Sequence, residues 1–486
     1  MVGEVGFLQR YEIENALRKA VKAQKEWSIL PLEERKLKVN QFIKTFTEGA
    51  DAIAKEISMQ MGKPVKQSHN EIKGFVFRTE SFVAQAEQAL KPQIVEQPAP
   101  DRLGTTVPLP WPYLPDQHKC EGVSLGKSSK KGETKPVFHR SVSREPVGIV
   151  AIVAPWNYPL LTVCNALIPA VLAGNAVVIK PSLITALTGQ RIAKAFETVG
   201  FPDGLVQNLI VSHEDFSNHI LREPKVGYVS FTGSNEGGAK VLLEAATHGH
   251  FMGVGLELGG KDAMYIAEDA DIDDAVANAV DGAAYNAGQS CCATERIYVH
   301  AKHYDKFLER AKQLLSEYRL GDPLNETTTM GPLALEKAPA RLEQLVYDAR
   351  RRGANVILGG RATGDRRTFF QPTLVADAAP SMALIQEEAF GPIVTVQKVY
   401  DDQHAIEQVN NSRYGLTASI WTQSVERAEW FAQRADVGTV FMNRCDYLDP
   451  FLSWSGRKDS GMGNSMGMAG FAAVTQLKNR HFKITQ

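Results

Sequence analysis

From Pro146 to Ile179 the chain carries no charged side chain, a run longer than the ~20 apolar residues that cross a bilayer. Pro155, Pro159, Pro169, Gly174 and the polar Asn157 divide it into pieces of ordinary length. The pattern predicts a buried strand over 147–154, a sharp turn at PWNYP, a helix over 160–173 and a second buried strand over 176–179. No membrane segment is expected from it. Strands without a polar face need cover on both sides, which helices returning over a parallel sheet supply. The same alternation continues to residue 260 through LVQNLIV, VGYVSF and FMGVGLELGG, and it predicts one such sheet.

Residues 10–95 place apolar side chains three and four apart in ENALRKAVKAQKEW, LEERKLKVNQFIKTFTEGADAIAKEI and NEIKGFVFRTESFVAQAEQAL, so they are expected to be helical. Residues 96–143 turn rich in Pro, Gly, Ser and Lys, which predicts an extended excursion or hairpin outside the core. Within it, Gly122 and Gly126-Lys127-Ser128 resemble a phosphate loop, but three residues separate the glycines where that motif has four. No apolar strand precedes them either, so the segment reads as a solvated loop. Beyond residue 260 a second α/β series begins: a helix around DIDDAVANAVDGAAYN, strand ERIYVH, helices YDKFLERAKQLLSEYRL and ARLEQLVYDARRR, and strands NVILGG and PIVTVQKV. A chain of 486 residues has room for about three domains. Two Rossmann-like α/β lobes with a cleft between them are the expected architecture.

Charge and cysteine usage exclude several functions. With 54 Lys+Arg against 55 Asp+Glu, no basic field exists to hold nucleic acid or an anionic membrane. The five cysteines, at 120, 164, 291, 292 and 445, show no CxxC or Cys/His ligand spacing. Neither a disulfide framework nor a metal site is expected, and a reducing cytoplasm suits the chain. The N-terminus lacks the apolar core of a secretory signal.

Five places carry candidate chemistry. Cys291 follows a helix and a Gly-Gln turn and precedes a strand, where a loop can present a thiol into a cleft. Most cysteines are inert, buried and apolar in behaviour, and the adjacent Cys292 is the better candidate for that role. Glu257, in Leu-Glu-Leu-Gly-Gly, ends the last strand of the first lobe. There its carboxylate is either a general base with a raised pKa or an acceptor for the amides of the glycine turn. Asn157, pinned between prolines, offers amide donors at the C-terminal edge of the sheet, where α/β ligands bind. The turn Thr232-Gly-Ser-Asn-Glu-Gly-Gly238 joins a strand to a helix and could admit a phosphate to the helix N-terminus, although its spacing is not that of a dinucleotide fingerprint. Lys180-Pro-Ser182 closes the preceding strand, and its lysine is either a ligand or an ordinary surface residue.

Taken together, PWNYP, KPS, FTGSNEGG, ELGGKD, NAGQSCCATER, EEAFGP, SGMG and the early Met61-Gly-Lys-Pro64 resemble the aldehyde dehydrogenase superfamily, in family order and from end to end. Glu257 precedes Cys291 by 34 residues, as in that family. The resemblance implies that Cys291 is the nucleophile and Glu257 the base, with Asn157 and the Cys291 amide forming an oxyanion hole. It assigns Trp156, Lys180, Ser182, Gly233, Ser234, Glu388 and Phe390 to an NAD or NADP cofactor. It further implies an NAD(P)-binding lobe formed by 1–95 and 144–258 and a catalytic lobe over 259–465. Residues 96–143 and 466–486 become oligomerisation or bridging segments, a small β hairpin of a homodimer or homotetramer. The implied reaction oxidises an aldehyde to a carboxylic acid through a thiohemiacetal and a thioester on Cys291.

Three departures qualify the resemblance. Leu183 stands where NAD-preferring members place a ribose-binding glutamate, which leaves NADP open. Ser212-His213 replaces a glycine on the adenine side. Asn464-Ser465 stands where many members carry Arg-Glu, so Glu257 has the base role alone. The substrate funnel implied by the family includes Tyr158, Thr162, Asn165, Ser290, Cys292, Leu448 and Trp454, with Arg444 and Asp446 nearby. A charged substrate is one reading of those last two, and solvated loop charges the other. A CoA-acylating relative and a catalytically silent protein on the same scaffold are the alternative functions.

Overall fold

The uncharged run folds where its prolines and glycines divide it. Ile149–Val153 and Ala176–Lys180 are buried parallel strands, and the helix Leu161–Ala173 between them ends on Gly174 at φ 98°, a left-handed conformation that favours glycine. The computed structural model describes residues 6–94, 105–106, 137–247, 250–364 and 368–484. Four helices open it: Arg10–Ser28, Leu32–Thr47, Ala50–Met61 and Val65–Leu90. The second predicted helix is thus two helices, broken at Glu48-Gly49.

Two sheets organise the chain. The first runs Gly461–Met462, Gly253–Glu257, Val226–Thr232, Ile149–Val153, Ala176–Lys180 and Val206–Asn208, all parallel except the first pair. The second has seven strands, ordered Asn355–Leu358, Thr373–Ala376, Ile393–Val399, Thr294–His300, Asp262–Ile266, Thr417–Trp421 and Thr439–Met442, with only its first strand antiparallel. Helices cover both sheets, giving two α/β lobes as expected. Asp262–Ile266, Thr373–Ala376, Thr417–Trp421 and Thr439–Met442 were not predicted, because runs of four or five residues are too short for periodicity to separate from neighbouring helix or loop.

Most of the excursion over 96–143, including the Gly122–Ser128 loop, lies outside the described residues. Its end, Val137–Pro146, pairs antiparallel with Thr475–Ile484 along ten residues, flanked by Gln93–Ile94 and Thr105–Thr106. This small sheet stands apart from the other two. Among the described residues no helix is long and apolar enough to cross a membrane.

Candidate active site

The loop before Cys291 is bent against local preference. Asn286, Ala287 and Gly288 adopt φ values of 52°, 55° and 69°, and each non-glycine residue there costs ~1–2 kcal/mol. Such strain persists only where surroundings over-determine the conformation. Here the Gln67 side-chain oxygen accepts the Asn286 N–H at 3.0 Å, and the Asn286 amide donates to the carbonyls of Asn157 and Gln289 at 3.2 and 3.3 Å. The Gln289 oxygen accepts the Ala334 N–H at 2.9 Å. The loop emerges with Cys291 half-buried and Cys292 buried. The Cys292 thiol donates to Asp446 Oδ1 at 3.0 Å, and its pKa is held well above the ordinary range, first by its contact with Cys291 and then by burial.

Glu257 ends its strand opposite Gly461 of the SGMG turn. Ser465 donates to its Oε1 at 2.9 Å, while Oε2 is sealed from solvent and makes no hydrogen bond of ordinary geometry. Burial pushes the carboxyl up to about 8, against the lowering effects of Ser465 and Trp454. The amides of the glycine turn leave Glu257 alone: the Gly260 N–H goes to Glu388 Oε1 at 3.1 Å. Gly259 and Gly260 are needed for clearance, because a Cβ at 259 would sit 2.5 Å from the Glu388 carboxylate and one at 260 would meet the Cys291 carbonyl.

Asn157 is buried, and its side-chain amide donates to the Gln289 carbonyl at 3.1 Å. Two N–H bonds leave that nitrogen, so one remains for a ligand. Among the described residues no acceptor takes the Cys291 backbone N–H. Below Asn157 lies a support that the sequence reading did not find. Buried Lys63 pairs with Glu71, donates to the Asn157 carbonyl at 2.7 Å and sits 4.0 Å over the Tyr158 ring. The other oxygen of Glu71 accepts the N–H groups of Leu160 and Leu161 at 2.9 and 3.4 Å. The Met-Gly-Lys-Pro motif was the available signal, but only the fold brings residue 63 to residue 157.

Cys291, Glu257 and Asn157 line one cavity of about 540 Å³. Trp156, Gly233, Ser234, Glu388 and Phe390 line it as well, as do Tyr158, Thr162 and Leu448. Trp454 does not line it; its backbone pairs with Ser465 and its side chain lies beside Glu257, so the funnel position expected for it is corrected. Asp446 is also not a solvated loop charge. It lines the cavity, accepting from Cys292 and from Ser290 at 3.3 Å. Arg444 does remain exposed, stacked 3.3 Å over the Tyr447 ring.

Lys180 and Ser182 lie off this cavity, at the end of the strand Ala176–Lys180. Lys180 is buried without an acceptor among the described residues, and burial lowers its pKa. It faces the same region as His213, whose pKa it lowers. Leu183 is exposed. Ser234 Oγ accepts the Gly237 N–H at 3.2 Å at the start of the helix Asn235–Thr247, next to the strand end at Thr232. A lysine with a buried stem and no acceptor on its ammonium among the described residues, together with a helix N-terminus at the C-terminal edge of a parallel sheet, fits a dinucleotide's ribose and phosphates. Phe390, at φ 54°, stands edge-on to Trp156 with ring centres 5.5 Å apart. Its turn is fixed by Glu295, which accepts the N–H groups of Ala389 and Phe390 at 2.8 and 3.0 Å and pairs with buried Lys261.

The sequence profile of the Aldehyde dehydrogenase family matches residues 1–111 and 123–480. The chain belongs to the aldehyde dehydrogenase family. It is 30% identical over 97% of its length to the succinate-semialdehyde dehydrogenase [NADP(+)] of Deinococcus radiodurans, covering 90% of that protein. Its fold superposes on the NAD-dependent aldehyde dehydrogenase of Sinorhizobium meliloti with a TM-score of 0.88, at 28% identity, covering 99% of this chain and 88% of the other. The betaine aldehyde dehydrogenase of Staphylococcus aureus, solved with NAD+, gives 0.85 at 28% identity, with 98% and 88% covered. This aldehyde dehydrogenase is accordingly an NAD(P)-dependent oxidoreductase of aldehydes.

Proposed function

We propose that this aldehyde dehydrogenase works hydrolytically, through a thioester on Cys291. The observation that carries the reading is that Glu257 lines the cavity shared with Cys291 while burial holds a proton tightly on its carboxyl. A carboxylate whose proton affinity is raised to about 8 can take a proton from a thiol or a water near neutral pH. The Cys291 thiolate adds to the aldehyde carbon, forming a C–S bond and an oxyanion. The Asn157 amide and the Cys291 N–H hold that oxyanion, and removal of one such donor typically costs ~2.7–4 kcal/mol of transition-state stabilisation. Bound NAD(P) supplies the hydride acceptor for the collapse of this adduct. Glu257 then removes a proton from water as its oxygen attacks the thioester, the C–S bond breaks and the carboxylate leaves.

In this reading residues 1–95 and 144–258 bind the cofactor and 259–465 carry the nucleophile. The ten-pair strand contact of Val137–Pro146 with Thr475–Ile484, which leaves Leu477 and Phe482 exposed, supports a homodimer or homotetramer. The four described cysteines are free thiols, which suits the cytoplasm. The relatives' names span an anionic aldehyde, succinate semialdehyde, and a cationic one, betaine aldehyde, so likeness alone does not choose a substrate. Propanal mixed with the protein and either cofactor tests the reaction. Reduced cofactor formed without CoA supports hydrolysis; formation only with CoA points to acyl transfer, and no formation to a silent scaffold.

A further inference from the structure

Besides Glu257 and Glu388, four charged side chains line the cavity, and their partners differ: Glu71, Arg78, Asp281 and Asp446. Glu71 is answered by Lys63. Arg78 directs its guanidinium to Asn165 Oδ1 and the Leu161 carbonyl, at 2.6 and 3.0 Å. Asp446 receives only the neutral donors Cys292 and Ser290. Asp281 makes no hydrogen bond or ion pair among the described residues, and it is close enough to raise the proton affinity of Asp446. The one neighbouring cation in sequence, Arg444, is turned out against Tyr447. Asp446 and Asp281 thus share a mostly apolar funnel whose one lining cation among the described residues, Arg78, is turned to Asn165 and the Leu161 carbonyl and is paired with neither, an arrangement that a bound cation would relieve. The ring of Tyr285 lines the same space, and phenol faces attract cations.

We infer that the substrate is a short aldehyde whose far end is a protonated or quaternary amine, held by Asp446 and Asp281. The inference rests on the aldehyde-oxidising reading above and adds the charge of the substrate. The tail is short because Asp446 touches the residue next to the nucleophile, and adjacent Cα atoms are about 3.8 Å apart. Anionic aldehydes meet repulsion at the same place.

The test compares 3-aminopropanal with butanal, which has the same number of heavy atoms, using the intact protein with NAD or NADP above the Asp446 pKa of about 7. The kcat/KM ratio of amine to butanal is expected to be at least about tenfold and to fall toward one in Asp446→Asn and in Asp281→Asn. Succinate semialdehyde is expected to be the poorest of the three. A wild-type ratio near one, better turnover of glyceraldehyde, or a ratio that survives both substitutions would overturn the inference. Asp281 is exposed, so its variant carries the test if Asp446→Asn does not fold. Propylammonium binding, read as a rise in Tm against propanol, is independent of turnover. Binding lost in Asp281→Asn, with no aldehyde oxidised, would keep the cation site and sink the reaction; butanal oxidised without a charge preference would do the reverse.

Discussion

Glu71 and Glu257 line the same cavity, yet their surroundings differ in kind. Glu71 has a lysine on one oxygen and two backbone N–H groups on the other. Glu257 has one serine hydroxyl on Oε1, the Trp454 side chain beside it, and an Oε2 sealed from solvent without a hydrogen bond of ordinary geometry. A buried carboxylate with donors on both oxygens is fixed in place, and its value is in holding Asn157, through Lys63, and the start of the helix Leu161–Ala173. A half-satisfied one keeps its proton tightly and can exchange it with a reacting molecule. The cavity therefore separates a positioning carboxylate from a proton-carrying one through the number of donors around each.

The largest effect should come from the atom both carboxylates serve. Cys291→Ala is expected to lower aldehyde oxidation by at least about 10³-fold, while Cys292→Ala leaves the burst of reduced cofactor in place; rapid-mixing absorbance reads both. Glu257→Gln should slow steady turnover by ~10²–10⁴-fold and leave an acyl-enzyme to accumulate. In wild type, turnover limited by this base should rise with pH and level off above about 8. Stability follows the opposite direction. The folded protein binds this proton more tightly than the unfolded chain, whose glutamate has an ordinary value of 4.5, so stability is lost as pH rises from there to about 8. Glu257→Gln should consequently raise Tm at pH above that window.

Breaking the paired carboxylate should act on stability first. Lys63→Met strands Glu71 as a buried, unneutralised charge, a loss of ~3–5 kcal/mol in denaturant unfolding, and Lys63→Met with Glu71→Leu should recover part of it. Ser465→Ala sharpens the comparison more gently. Removing the Ser465 hydrogen bond, which lowers the pKa of the Glu257 carboxyl, should move the pH–rate midpoint upward by ~1 unit. At the far end of the cofactor region, Leu183→Glu should shift the kcat/KM ratio toward NAD over NADP by about tenfold, or ~1.4 kcal/mol. If Ser465→Ala leaves the pH profile still while Lys63→Met shifts it, the two carboxylates have been assigned the wrong way round.

How much of this was legible in the chain depends on the range of the interaction concerned. The strands 149–153, 176–180 and 226–232, and the turn ahead of Cys291, follow from local apolar pattern and glycine placement. Ser465 was noted only for the carboxylate it lacks, because its contact with a residue 208 positions away leaves no local trace. The Lys63–Asn157 contact spans 94 positions and was equally invisible. Asp446 reads from its neighbours as either a solvated charge or a selector of a charged aldehyde, and its contact with Cys292 in the cavity wall is what places it inward. Trp454 illustrates the opposite error: a bulky residue assigned to the funnel is spent on walling in Glu257.

Peptide mapping by mass spectrometry of Glu257→Gln, quenched after mixing with butanal and cofactor, tests the account most directly. An acyl group is predicted on the Cys291 thiol, stoichiometric with the burst of reduced cofactor. Acyl label on Cys292, or continued turnover with no label on either thiol, would contradict it.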